Sequence, residues 1–182
     1  VKPTCAVTRA VLLAALLVLA VAGGGVAQQP LDPVRDAAAE IKWRVEQLRA
    51  AGALDVGDKR IAASEATLGA YESRAFAPLW TDAAGPRDLI RAIGELRGDG
   101  LDPAHYNLDA LSARFPAATP AEAAEFDLLA TDALLGAARD LRFGRTEPSG
   151  PTTGRNVESP FGGSDPAAAL IATIQSGRPG AA

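Results

Sequence analysis

Thr119-Pro120-Ala121-Glu122 restricts the fold of this chain more than any other stretch. The Thr119 hydroxyl can accept the backbone N–H three residues on, and Glu122 can reach back. That reciprocal pair is the capping box that opens a helix. The helix runs from about Pro120 to Phe143, where Gly144 is a natural stop. Ala124, Leu128, Thr131, Leu135 and Ala138 form one apolar ridge along it, and Leu134 and Leu141 widen the ridge. A helix with such a face must bury it against other elements.

The remaining stripes are also helical. Val34, Ala38, Ile41, Val45 and Leu48 recur at spacings of three and four, which predicts a first helix ended by Gly52. Ile61, Leu68, Tyr71 and Ala75 predict a second over about Arg60 to Phe76. Pro78 then biases Ala77 away from helix, and Leu79 and Trp80 read as a plug against the core. Gly85-Pro86 opens a third helix with Leu89, Ile90, Ile93 and Leu96 inward, and Gly98 and Gly100 stop it. Asp102-Pro103 caps a short turn, and Leu108 to Arg114 make a brief helix. Arg145 to Ser164 is punctuated by glycine and proline and reads as a long loop. Asp165-Pro166 caps a last helix through about Ile174. Its apolar Leu170, Ile171 and Ile174 want a partner surface, so the C-terminus reads as a sequence cut short. No stretch shows convincing period-two alternation, and no internal repeat is seen. The expected fold is all-α, a helical domain of about five to six helices.

The N-terminus reads as a targeting segment. Lys2 and Arg9 precede an apolar run from Val11 to Ala22, Gly23 to Gly25 break it, and Gly25-Val26-Ala27 sets small residues before Gln28. This is the order of a secretory signal. The expected organisation is a signal peptide over 1–27, a polar leader over 28–33 and a helical domain over 34–182. The expected location is the periplasm, with an uncleaved signal-anchor as the alternative.

Composition narrows the chemistry. The 182 residues carry 18 Lys and Arg against 22 Asp and Glu, with no basic run, so no nucleic-acid partner is expected. Hydrophobic residues make up 48%, enough for a packed core. With one His, one Cys and no Met, the chain cannot assemble a Cys/His zinc site or an internal disulfide. Cys5 precedes the apolar run, so it is not placed as a lipid acceptor.

Each constellation that could carry chemistry has a plainer reading. His105 beside Asp102 and Asp109 reads as a surface histidine in a capped turn. Asp99, Asp102 and Asp109 lack the order of a calcium loop and read as helix caps. Glu122, Glu125 and Asp127 could pair for glycoside hydrolysis, but Glu122 is better used in the capping box. Asp132, Arg139, Asp140, Arg142 and Arg145 read as ion pairs at a helix end, with recognition of an anion as the alternative. Gly162-Gly163-Ser164-Asp165-Pro166 lacks the Lys of a phosphate loop. Tyr71, Phe76, Leu79, Trp80, Leu128, Leu129 and Leu141 are the expected core, and Thr131, Asp132, Asp140, Arg142 and Arg145 the expected ties between helix ends. No catalytic residue, cofactor or metal ligand is expected.

Four segments together carry a resemblance. They are Tyr71 to Trp80 (YESRAFAPLW), Asp99 to Tyr106 (DGLDPAHY), Phe126 to Ala133 (FDLLATDA) and Asp140 to Arg145 (DLRFGR). In order and spacing they resemble the N-terminal scaffold region of the large exported L,D-transpeptidases of Gram-negative bacteria, over about Leu31 to Pro179. The resemblance implies a helical support for two partners, a catalytic domain and a peptidoglycan-binding domain, in an enzyme that cross-links peptidoglycan stem peptides during cell-wall biogenesis. Its catalytic domain carries a cysteine in a His…Ser-x-Gly-Cys motif. This sequence has no such motif, so no catalytic residue carries over and the chain alone is expected to be inactive. The alternative is a stand-alone envelope protein that binds peptidoglycan or a partner enzyme.

Overall fold

The computed structural model describes residues 33–144 and 165–179. The segments read as signal peptide, as most of the leader and as the loop 145–164 lie outside the described residues. Six α-helices and one two-stranded hairpin follow in the order α1 (Pro33–Ala51), β1 (Ala53–Val56), β2 (Lys59–Ala62), α2 (Glu65–Ser73), α3 (Ala84–Glu95), α4 (Leu108–Arg114), α5 (Pro120–Phe143) and α6 (Pro166–Gln175). Two 3₁₀ turns, Leu96–Asp99 and Pro103–Tyr106, lie between α3 and α4. The fold is all-α apart from the hairpin.

α5 is the axis. Its capping box forms in full, with Glu122 N–H donating to Thr119 Oγ1 at 3.2 Å and Thr119 N–H to Glu122 Oε2 at 3.1 Å. α1, α3, α4, β2 and the second 3₁₀ turn all pack on it. Helix neighbours on several sides bury Phe126 to Thr131 without a break, wider than the single ridge the spacing predicts. α1 contributes the expected face of Ile41, Val45 and Leu48. α6 lies on α2, burying Leu170 and Ile174 there, so these two apolar residues have their partner within the domain.

The hairpin corrects the sequence reading. α2 begins at Glu65, capped by Ser64, and not at Arg60. Residues 53–62 instead pair antiparallel, with Leu54 opposite Ile61 and Asp55 opposite Arg60. Gly57 at φ 64° supplies the left-handed position that a two-residue hairpin loop needs. Val56 and Ile61 point inward while Asp55 and Arg60 bond outside at 3.0 Å. Four-residue strands are too short to show alternation, and Ile61 to Leu68 spans seven residues, which also suits a helix. The end of α2 differs too. It stops at Ser73, and Phe76 lies beyond it, half-buried. α3 starts at Ala84, so Pro86 is its third residue, and Asp82 Oδ1 accepts the Ala84 and Gly85 N–H groups at 2.7 and 2.8 Å.

Candidate functional site

Among the described residues, buried polar side chains form an interlock around Asp127. α5 presents the Asp127 carboxylate and, one turn on, the Thr131 hydroxyl, both buried. Asp127 Oδ1 accepts the Tyr71 hydroxyl of α2 at 2.8 Å and the Leu79 N–H at 3.1 Å, and Oδ2 accepts the Trp80 N–H at 3.0 Å. Thr131 Oγ1 lies 3.0 Å from the Tyr71 hydroxyl, accepts the Trp80 indole N–H at 3.1 Å and donates to Asp127 O at 2.8 Å. One carboxylate and one hydroxyl thus fasten α2 and the segment after it to the axis.

Burial dominates the electrostatics. It pushes the Asp127 carboxyl up to about 6, against the Trp80 and Leu79 N–H groups, the Tyr71 hydroxyl and the Arg74 charge, which all favour the ionised form. Burial, and next the Asp127 charge, raise Tyr71 well above its ordinary value. Asp132 is also pushed up to about 6 by burial, opposed by the Asn107 amide and Arg139.

Beside the interlock lies an open cleft of about 320 Å³, walled by Pro78, Trp80, Pro86, Phe115 and Phe126, with Asp82 at its lining. The Phe115 and Phe126 rings stand 5.4 Å apart, and the Arg87 guanidinium lies 5.7 Å from the Phe115 ring. Its lining is mainly apolar (alanine, proline and aromatic side chains), with Thr81, Asp82 and Asp127 as the polar residues.

Further ties close the domain. Glu125 takes Arg44 of α1 and Arg114 of α4, each at 3.2 Å. Arg114 also crowds the hairpin turn, where a β-carbon on Gly57 would collide with its Nη2. The Tyr106 hydroxyl donates to Asp140 at 2.8 Å, and the Asn107 amide to Asp132 at 3.2 Å.

These contacts sort the sequence candidates. Glu122 serves the capping box, Glu125 the two arginines and Asp127 the interlock, so the three carboxylates have three separate sets of partners. His105 is exposed, and Asp102 caps the second 3₁₀ turn by accepting the Ala104 N–H at 3.1 Å. Among the described residues no three His, Cys, Asp or Glu side chains gather as a metal site. Thr131, Asp132 and Asp140 do tie elements together; Arg142 lies over the Phe143 ring, and Arg145 is outside the described residues. Leu141 corrects the core reading: it is 48% exposed, at the edge of a shallow pocket it shares with Leu89, Ile93 and Pro179. Sequence reasoning missed Asp127 as the hub and Arg44 as a tie, since each partner lies far along the chain.

A buried carboxyl held by three donors, Asp127 positions the backbone of Leu79 and Trp80 and borders the cleft at one edge. The arrangement is a helical domain in which a buried carboxyl and a buried hydroxyl hold its own elements together. Residues 65–182 match the family described as a scaffold domain, and the chain belongs to that family. No curated protein and no solved structure matches the chain.

Proposed function

We propose that this domain is the non-catalytic scaffold region of an exported L,D-transpeptidase, an acyltransferase that cross-links peptidoglycan stem peptides in the periplasm. Its work is mechanical: it holds a catalytic domain and a peptidoglycan-binding domain in position at the wall. The interlock carries this reading. Tyr71, Leu79 and Trp80 come from the first of the four resembling segments, and Asp127 and Thr131 from the third. Tyr106 of the second bonds Asp140 of the fourth. The segments that carry the resemblance are thus the ones whose side chains meet, and the scaffold-domain match covers all four.

Acyl transfer by such an enzyme needs an activated thiolate. The one cysteine here is Cys5, in the segment read as a signal, so the nucleophile belongs to a domain outside this chain. No cofactor is required. The test is to sequence the source gene past the codon for Ala182. A frame that continues to a His…Ser-x-Gly-Cys motif supports the proposal. A stop codon immediately after Ala182 overturns it and favours a stand-alone peptidoglycan-binding protein, which a pull-down by purified sacculi would then test.

A further inference from the structure

The cleft beside the interlock combines aromatic walls with charge of one sign. Its volume of about 320 Å³ reaches the lower end of ligand-sized cavities, about 300–1,000 Å³. Three aromatic rings border it: Trp80 from the segment after α2, Phe115 at the end of α4 and Phe126 of α5. Pro78 and Pro86 extend the apolar wall. Among the described residues its lining includes two carboxylates, Asp82 and Asp127, and no lysine or arginine. Asp82 is exposed, and its Oδ1 takes the Ala84 and Gly85 N–H groups, which leaves Oδ2 without a partner among the described residues. Asp127 accepts three hydrogen bonds, which favour its charged form.

We propose that this cleft binds a small organic ammonium ion, of the class whose charged nitrogen is wrapped in alkyl groups. The face of an aromatic ring carries negative potential, so it attracts a cation within about 6 Å, and more strongly where water is excluded. An alkylated head suits such walls, because its methyl groups lose little on leaving water, whereas a bare ammonium gives up strong hydrogen bonds. The two carboxylates supply the opposite charge at the edges. One side chain of the protein already shows the preference: the Arg87 guanidinium lies 5.7 Å from the Phe115 ring. Binding of this kind does not depend on which enzyme the domain supports.

The positive groups nearby do not fill this role. Arg44 and Arg114 are both bonded to Glu125. Arg74 acts on Asp127 from the end of α2 and is not part of the lining. The first turn of α3 reaches the cleft at Pro86, and the positive end of its dipole would oppose a cation, but Asp82 caps that turn. Arg87 is the competitor, since it shares the Phe115 ring with any bound cation. Its removal should therefore help binding, whereas loss of the Asp82 charge should hinder it.

Trp80 reports occupancy. Trp43 is 52% exposed and would mask it, so the experiment uses the full chain carrying Trp43→Phe. Choline chloride is titrated near neutral pH at constant ionic strength, and Trp80 emission is followed. A parallel titration uses the neutral isostere of choline, in which a tert-butyl group replaces trimethylammonium. Choline is expected to give a saturable change and to bind at least about fivefold more tightly than the isostere. Asp82→Asn keeps an oxygen to cap α3 and removes the charge, so it should weaken choline binding about twofold or more. Arg87→Gln should strengthen it. Ala123→Leu, which fills the cleft from α5, should abolish it in a chain whose thermal melt shows it folded. Should Ala123→Leu fail to fold, the isostere and Arg87→Gln carry the test. No saturable response to choline, equal binding of the neutral isostere (a plain apolar cleft), or choline binding that neither Asp82→Asn nor Arg87→Gln alters overturns the proposal.

Discussion

Gly69 of α2 faces Ala167 of α6 so closely that a methyl group on Gly69 would stand 3.0 Å from the Ala167 β-carbon. This approach is what lets α6 seat on α2 and bury Leu170. Gly69→Val is expected to destabilise the chain by about 1–3 kcal/mol through overpacking. Urea unfolding measures the loss, and adding Ala167→Gly should restore part of it. An unchanged midpoint for Gly69→Val would contradict the α2–α6 contact.

Tyr71→Phe removes one hydroxyl from a buried network and leaves Asp127 and Thr131 each short of a partner. A cost of about 1–3 kcal/mol is expected, the range for an unsatisfied buried polar group. Tyr71→Phe and Thr131→Val should be non-additive, since they share one network. A double-mutant cycle by urea unfolding checks this, and simple additivity would mean that the two hydroxyls act independently.

Ala75→Gly should stabilise the chain. Ala75 holds φ 52° at the position where a Schellman turn favours glycine. Relief of roughly 1–2 kcal/mol of left-handed strain is partly offset by glycine's chain entropy, about 0.5–1 kcal/mol. The net expectation is a Tm higher by about 2–4 °C, read in a thermal melt. A lower Tm would mean that the methyl group makes a contact worth more than the strain.

Burial raises both Asp127 and Asp132 from 3.8 to about 6. Each therefore binds its proton more tightly folded than unfolded. Their contribution is complete below about pH 3.8 and is lost as pH rises through about 6. Asp132→Asn should accordingly shrink whatever stability advantage pH 4.5 has over pH 7. Urea midpoints at the two pH values measure it, and an advantage that Asp132→Asn leaves intact would remove Asp132 from the account.

Trp80 and Leu141 are both large and apolar and both were expected in the core, yet only Trp80 is buried. Trp80→Ala should cost about 3–5 kcal/mol, and Leu141→Ala should stay within about 0.5 kcal/mol. Melting curves of the two variants separate these cases. A large loss for Leu141→Ala would mean that the end of α5 is covered in solution.

Most helices were legible before any coordinates, because their signals are local. Thr119 with Glu122, Asp165 before Pro166, and Gly52 and Gly144 as stops act within a turn of the residues they govern. The hairpin was not legible as strand, although Gly57-Asp58 marks its turn. Its two strands are four residues each, and what holds them is packing of Val56 and Ile61 on the core. Of the candidate site, the residues were visible and their roles were not. Asp127 read as one of three spaced carboxylates, and nothing in its own neighbourhood distinguishes a hub from a solvated acid.

The sequence by itself determined where helices start and stop, which faces are apolar, and that the chain has no cysteine or histidine set for transfer chemistry. Caps, glycine stops and stripe periodicity are short-range physics, readable a few residues at a time. Only the tertiary structure decided that α5 is the axis and that Asp127 is its hub. Tyr71 and Asp127 are 56 residues apart in the chain and 2.8 Å apart in space. A polar side chain is pulled out of water only when packing brings its donors to it, and that convergence belongs to the assembled helices.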